Sequence, residues 1–282
     1  MGGRGIVLPN VRKFYRPTSL EEAVALLNSE KERNVVLGGG TQLALSAHPG
    51  IEGLIDLGGL GLDKIERRGE EIVIGARARP SDLFRSELLR DVADNILAEA
   101  AGNYLAEVQR NRASIGGILI SCAAWADIAA ALLAIGGRIT IAGKDGEKTM
   151  TVDEFYEAGP SKAAHRAIIT ELRIRAGGRG AYQRLAKTET DISILSSLVR
   201  LDEETDGTIR EARVVIGGAT ALPVRVREVE EKLRGKRLDP ALAEEASRDC
   251  PIETVGDFRA SADYRRKMAA VLTKRALAAL AK

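Results

Sequence analysis

From residue 18 onward the chain alternates between short apolar runs and polar breaks. Ser19-x-x-Glu22 is a capping box. Leu20, Ala23, Val24 and Leu27 follow at i, i+3, i+4 and i+7, which predicts an amphipathic helix opening at Thr18 or Ser19. Residues 11–18 before it read as extended. Val35-Val36-Leu37 predicts a short buried strand running directly into Gly38-Gly39-Gly40-Thr41, and Ile55-Asp56-Leu57 predicts a second. The first 57 residues therefore read as a small βαβ-like unit. Ile65 to Ala76 predicts a hairpin turning at Arg68-Gly69, with Ile72 and Ile74 on one face. A helix begins at Ser81, and Leu88 to Tyr104 predicts a longer, alanine-rich one.

Gln109-Arg110-Asn111-Arg112 is polar and basic and reads as a solvated loop. Ser114-Ile115-Gly116-Gly117 follows. Ile118 to Ile135 is apolar almost throughout, with Asp127 near its middle and glycine pairs on both sides. A central carboxylate costs a few kcal/mol in a bilayer, so this stretch predicts a loop and helix in a protein core, not a membrane span. Arg138 to Val152 reads as two strands around Lys144-Asp145-Gly146. Thr151-x-x-Glu154 caps a short helix, and Ala167 to Arg175 is a strand. Gly177-Gly178-Arg179-Gly180 is the clearest hinge. After it come a strand (181–187), a mixed apolar stretch (191–201), a strand (211–217) and three helical runs. The last run, from Ser261, has Met268, Leu272, Leu277 and Leu280 near one face. This places one boundary near 176–180 and a weaker one near 58–61, giving segments 1–58, 59–176 and 177–282.

Composition narrows the chemistry. The 282 residues fit two or three domains, and 45% hydrophobic with 29% charged residues excludes a disordered chain. Lys and Arg number 42 against 40 Asp and Glu, and aromatics are 4%, which argues against a nucleic-acid footprint or a base-stacking platform. Cys122 and Cys250 cannot supply a disulfide framework or a four-thiolate centre. His48 and His165 share no metal-ligand spacing. The sequence has no Walker A, GxGxxG, HExxH or GxSxG motif. The start of the chain does not resemble a signal peptide, so a cytoplasmic, reduced protein is expected. No residue announces itself as catalytic or metal-binding.

Two glycine-rich turns stand out. Successive glycines let several backbone N–H groups converge on one point, and such a concavity takes phosphate oxygens. Residues 38–41 follow a strand, while residues 114–117 add the Ser114 hydroxyl. Two such turns suit the two phosphates of a pyrophosphate. Each alone reads more often as a tight turn than as a phosphate site, and Gly58-Gly59 and Gly217-Gly218 read as turns. Asp127 lies within an apolar run and needs a partner: a helix cap, a buried ion pair or a ligand hydroxyl. Trp125 beside it reads as core.

These residues, taken together and in order, resemble a known family. Phe14-Tyr15-Arg16-Pro17-Thr18-Ser19-Leu20-Glu21-Glu22-Ala23, Gly38-Gly39-Gly40-Thr41-Gln42-Leu43, Gln109 to Gly117, Asp127, Ile216-Gly217-Gly218-Ala219 and Ala262-Asp263-Tyr264-Arg265-Arg266 are similar to elements of the FAD-binding medium subunit of molybdenum hydroxylases, the group of carbon monoxide dehydrogenase and xanthine dehydrogenase. The resemblance implies an α+β fold in which two subdomains clasp FAD, followed by a C-terminal domain with a three-stranded antiparallel sheet and helices. It implies that backbone groups of Gly38, Gly39, Gly40 and Thr41 with Ser114, Ile115, Gly116 and Gly117 hold the pyrophosphate, with Leu37, Gln42 and Leu43 among the other cofactor-binding residues. It places Asp127 at the ribityl or flavin region, and Lys187 with Arg184 near the flavin, with Leu185 and Tyr182 beside them. Ile118 stands where the family has asparagine, Ala124 where it has proline, and Gln42 at an acidic or hydroxyl position.

The implied function is electron transfer. An iron–sulfur small subunit would deliver electrons to FAD, an external acceptor would remove them, and a molybdopterin large subunit would oxidise the substrate, in a dimer of heterotrimers. Two other readings keep the fold. One is a stand-alone FAD-dependent reductase or oxidase of the enolpyruvoyl reductase type. The other is a non-catalytic nucleotide-binding assembly subunit that has lost its flavin.

Overall fold

The computed structural model describes residues 8–45 and 48–281. β1 (Lys13–Tyr15), α1 (Leu20–Leu27), β2 (Asn34–Leu37) and β3 (Gly53–Asp56) build a parallel three-stranded sheet in the order β1-β3-β2. The extended entry thus contains β1. Ser19 caps α1 by accepting from the Glu22 amide at 3.2 Å. The Glu22 carboxylate reaches back to the Thr18 amide, one residue earlier than the usual box.

A second sheet is antiparallel and five-stranded, in the order β4-β5-β8-β6-β7: β4 (Ile65–Arg68), β5 (Glu71–Gly75), β6 (Arg138–Gly143), β7 (Gly146–Thr151) and β8 (Ile168–Arg175). Between its strands run α2 (Pro80–Arg85), α3 (Ile96–Gly102), α4 (Glu107–Arg110), α5 (Ile115–Ser121), α6 (Asp127–Ile135), α7 (Val152–Ala158) and α8 (Pro160–Ala163). The basic stretch read as a loop therefore carries α4, whose side chains are mostly exposed.

The single helix expected over 88–104 is broken. Ala93, Asp94 and Asn95 all have positive φ (45°, 49° and 72°), and α3 starts only after them. The cause is tertiary. The Ala93 amide donates to the Gly177 carbonyl (3.0 Å), and the Asp94 carboxylate accepts from the Gly180 amide (3.0 Å). Those long-range bonds hold a conformation that local helix propensity opposes.

The third sheet is an antiparallel meander of β9 (Arg179–Leu185), β10 (Leu195–Glu203) and β11 (Ile209–Gly217), edged by the two-residue β12 (Val224–Arg225), so it has one short strand more than the expected three. α9 (Arg227–Leu233), α10 (Pro240–Ser247) and α11 (Ala262–Leu280) cover one face, where Val199, Val214 and Ile216 pack with Leu272 and Leu277. On the other face Leu198 and Val215 join the core that contains α6. β10 is buried on both faces, which is why its sequence shows no alternation. No described helix is long and apolar enough to cross a membrane.

α6 is the bolt between the second and third sheets. All nine of its residues are buried. Arg200 and Arg213 donate to the carbonyls of Ile135 and Leu133 at its C-terminal end (3.0 and 3.2 Å), where cations meet the negative pole of the helix.

Candidate nucleotide-binding cleft

The chain leaves β2 at Leu37 and turns through Gly38, Gly39 and Gly40. This turn lies directly against the segment before α5. A Cβ added at Gly38 would sit 2.3 Å from the Ser114 hydroxyl, and one at Gly39 only 1.7 Å from the Arg112 carbonyl oxygen. The two turns meet because these positions lack side chains. Among the described residues, no group accepts from the backbone amides of Gly39, Gly40, Thr41, Gln42 and Leu43. Five consecutive backbone donors without a partner follow the strand, and such a row is able to take an anion.

The second turn is built differently from the expectation that both turns offer their amides. Ser114 caps α5, accepting from the Gly117 amide at 3.3 Å. The amides of Ile115 and Gly116 donate to the carbonyls of Ala78 and Ala76 (2.9 and 2.8 Å). Those bonds fasten the start of α5 to the loop after β5, and Ile115 is wholly buried. The second turn therefore contributes position and the Ser114 side chain, while the open amides belong to the first.

Two cavities flank the contact. One, about 290 Å³, is lined by Leu37 to Leu43 together with Tyr104, Ile118 and Ser114. The other, about 230 Å³, has largely apolar walls that include Leu27, Leu57, Ile168 and Ile169, with Arg77 and Arg166 at its edge. Both include Val35, Val36, Gly38, Ser114, Gly117 and Ile120, so the two are neighbours sharing a wall at the glycine contact. Arg77 pairs with Asp56 at 2.9 Å.

Asp127 stands apart from both cavities. It opens α6 and is buried, and its oxygens accept from three hydroxyls. Tyr182 and Ser196 donate at 2.6 and 2.7 Å, Ser193 donates as well, and the Arg184 guanidinium lies 3.7 Å away. Burial raises its carboxyl above the usual range, opposed by the Ser193, Ser196 and Tyr182 hydrogen bonds and by Arg184. Burial, then the adjacent Asp127, pushes the Tyr182 phenol well above its ordinary value. Leu185 ends β9, half-buried against the third sheet's core, and Lys187 is exposed on the following loop. Arg184 fixes that loop by donating to the Ser193 hydroxyl and to the carbonyls of Glu189 and Asp191.

Sequence reasoning missed Arg77, Arg166 and Tyr104 as cleft residues. A positive φ of 52° at Arg166 turns the chain there, and nothing in a lone arginine announces it. Both cysteines are buried, which pushes each thiol up to about 11, so neither is a ready thiolate at neutral pH.

Comparison with known proteins agrees with this geometry. The FAD-binding domain of molybdopterin dehydrogenase matches residues 9–175, and the CO dehydrogenase flavoprotein C-terminal domain matches residues 165–280. The nicotine 6-hydroxylase medium subunit of Paenarthrobacter nicotinovorans is 29% identical over 96% of this chain and 97% of its own length. The carbon monoxide dehydrogenase medium chain of Hydrogenophaga pseudoflava is also 29% identical, over the same shares. A solved structure of that organism's carbon monoxide dehydrogenase superposes with a TM-score of 0.85 at 27% identity, covering 96% of this chain and 97% of its counterpart. The chain belongs to the family built on the FAD-binding domain of molybdopterin dehydrogenases, as an FAD-binding medium subunit of the molybdenum hydroxylase type.

Proposed function

We propose that this subunit receives electrons from an iron–sulfur small subunit and passes them to an external acceptor, while a molybdopterin large subunit oxidises the substrate. FAD supplies reversible two-electron redox chemistry and exchanges electrons with one-electron centres. The protein's part is to bind and orient it. In this reading the amides of Gly39 to Leu43 hold the pyrophosphate, and Gly38, Gly39 and Ser114 to Gly117 set their position. The apolar cavity beside Ile168 and Ile169 takes one ring system, and the cavity at Tyr104 lies toward the other half. Asp127 acts at the flavin end through the loop that Arg184 holds, with Leu185 and Lys187 alongside.

The observation that carries the reading is the row of five unshared donors meeting a second turn across a contact only glycines permit. The medium-chain relatives favour a multi-subunit complex over a stand-alone reductase. The test is purification from native extract. Visible flavin absorbance with co-purifying iron and molybdenum is expected. A preparation without flavin that takes up none from added FAD refutes it.

A further inference from the structure

We propose that the Tyr104 phenol is a cofactor-binding group, donating a hydrogen bond to an acceptor oxygen or nitrogen of the dinucleotide in the cleft. This rests on the FAD-binding role above and assigns one more residue to it. Tyr104 is 4% exposed and lines the same cavity as the first glycine turn. Among the described residues, no group bonds its hydroxyl. The oxygen is not among the side-chain atoms sealed from solvent without a partner, so it stays open to solvent, whereas the other two hydroxyls are taken up inside the protein: Tyr156 donates to the Ala129 carbonyl and Tyr182 to Asp127. Ile118 and Ile120 border the same cavity and offer no hydrogen bond.

The ring is held in place. Its centroid lies 5.7 Å from that of Trp125, tilted by 32°. Arg110 donates to the carbonyls of both Tyr104 and Leu105, and Leu105 keeps a left-handed φ of 49°. A strained backbone pinned from a neighbouring helix beside a cavity is a costly way to place a phenol that nothing in the protein uses. Burial pushes that phenol up to about 12, so it stays protonated and a donor at neutral pH.

Tyr104→Phe removes only the hydroxyl and keeps the contact with Trp125. FAD affinity is measured by flavin fluorescence titration of the full chain, alone and with its co-purified partners. Melting is followed with and without FAD. The proposal expects the FAD dissociation constant to rise about five- to tenfold. The melting temperature without FAD stays unchanged, and the stabilisation by FAD shrinks. Equal affinity in variant and wild type overturns the assignment of Tyr104 and leaves the FAD-binding role intact. An equal loss of melting temperature with and without FAD also overturns it, because it shows a structural partner. Wild type that binds no FAD in either form removes the role itself.

Discussion

Gly39→Ala probes the contact that shapes the cleft. The added methyl would sit 1.7 Å from the Arg112 carbonyl oxygen, 2.4 Å from its carbon and 2.8 Å from the Ala113 Cα. All three are backbone atoms, so no side chain can swing away. Restoring an ordinary contact of about 3.5 Å requires the two turns to part by roughly 1.8 Å. Overpacking of this kind costs about 1–3 kcal/mol of stability. The effect on the ligand is larger. Hydrogen bonds from the amides to a charged pyrophosphate contribute about 1.5–3 kcal/mol each, and a parting of that size breaks more than one. A loss of about 3 kcal/mol weakens FAD binding by more than a hundredfold. The assay is flavin content per chain after purification, with fluorescence titration of added FAD. Gly69→Ala is the control: φ there is +62° and nothing lies within 4 Å of the new methyl. It should lose about 1–2 kcal/mol of stability and keep its flavin. Wild-type FAD affinity in Gly39→Ala refutes the close-contact argument.

Three further outcomes follow from paired or hydrogen-bonded charges. Asp127→Asn keeps the shape but turns one acceptor into a donor facing hydroxyls, so about 1–3 kcal/mol should disappear from a urea unfolding curve; an unchanged midpoint contradicts the hydroxyl cluster. Arg200→Ala strips Asp202 of its two-pronged partner (2.9 Å on each prong) and the end of α6 of its cap, and should cost about 3–5 kcal/mol in the same assay. Asp257 accepts from Arg259 and Arg265, which hold its carboxyl well below the ordinary range. Its contribution is complete above the unfolded pKa of about 3.9 and is lost as pH falls below that value. The melting deficit of Asp257→Asn should therefore be constant near neutrality and narrow below about pH 4; a deficit independent of pH counts against the pairing.

What was legible in the sequence was local. The Ser19 and Thr151 caps, the strand ending at Leu37 and the triple glycine after it each carry their signal within a few residues. What was not legible depends on partners far along the chain. The break at Ala93 to Asn95 answers to Gly177 and Gly180. The hydroxyls that hold Asp127 come from Tyr182, Ser193 and Ser196, at least 55 residues later. Glycine content located both turns of the cleft but could not tell which amides remain open, because Ala76 and Ala78, in the loop after β5, take those of Gly116 and Ile115. β10 looked irregular because both of its faces are core.

The most direct test is a crystal structure of the subunit, alone or in its complex, grown with FAD. The account predicts pyrophosphate oxygens within about 2.7–3.2 Å of amides in the Gly39 to Leu43 row, with the adenine and flavin halves in the two cavities on either side. A pyrophosphate seated elsewhere, with those amides still facing solvent, would contradict it.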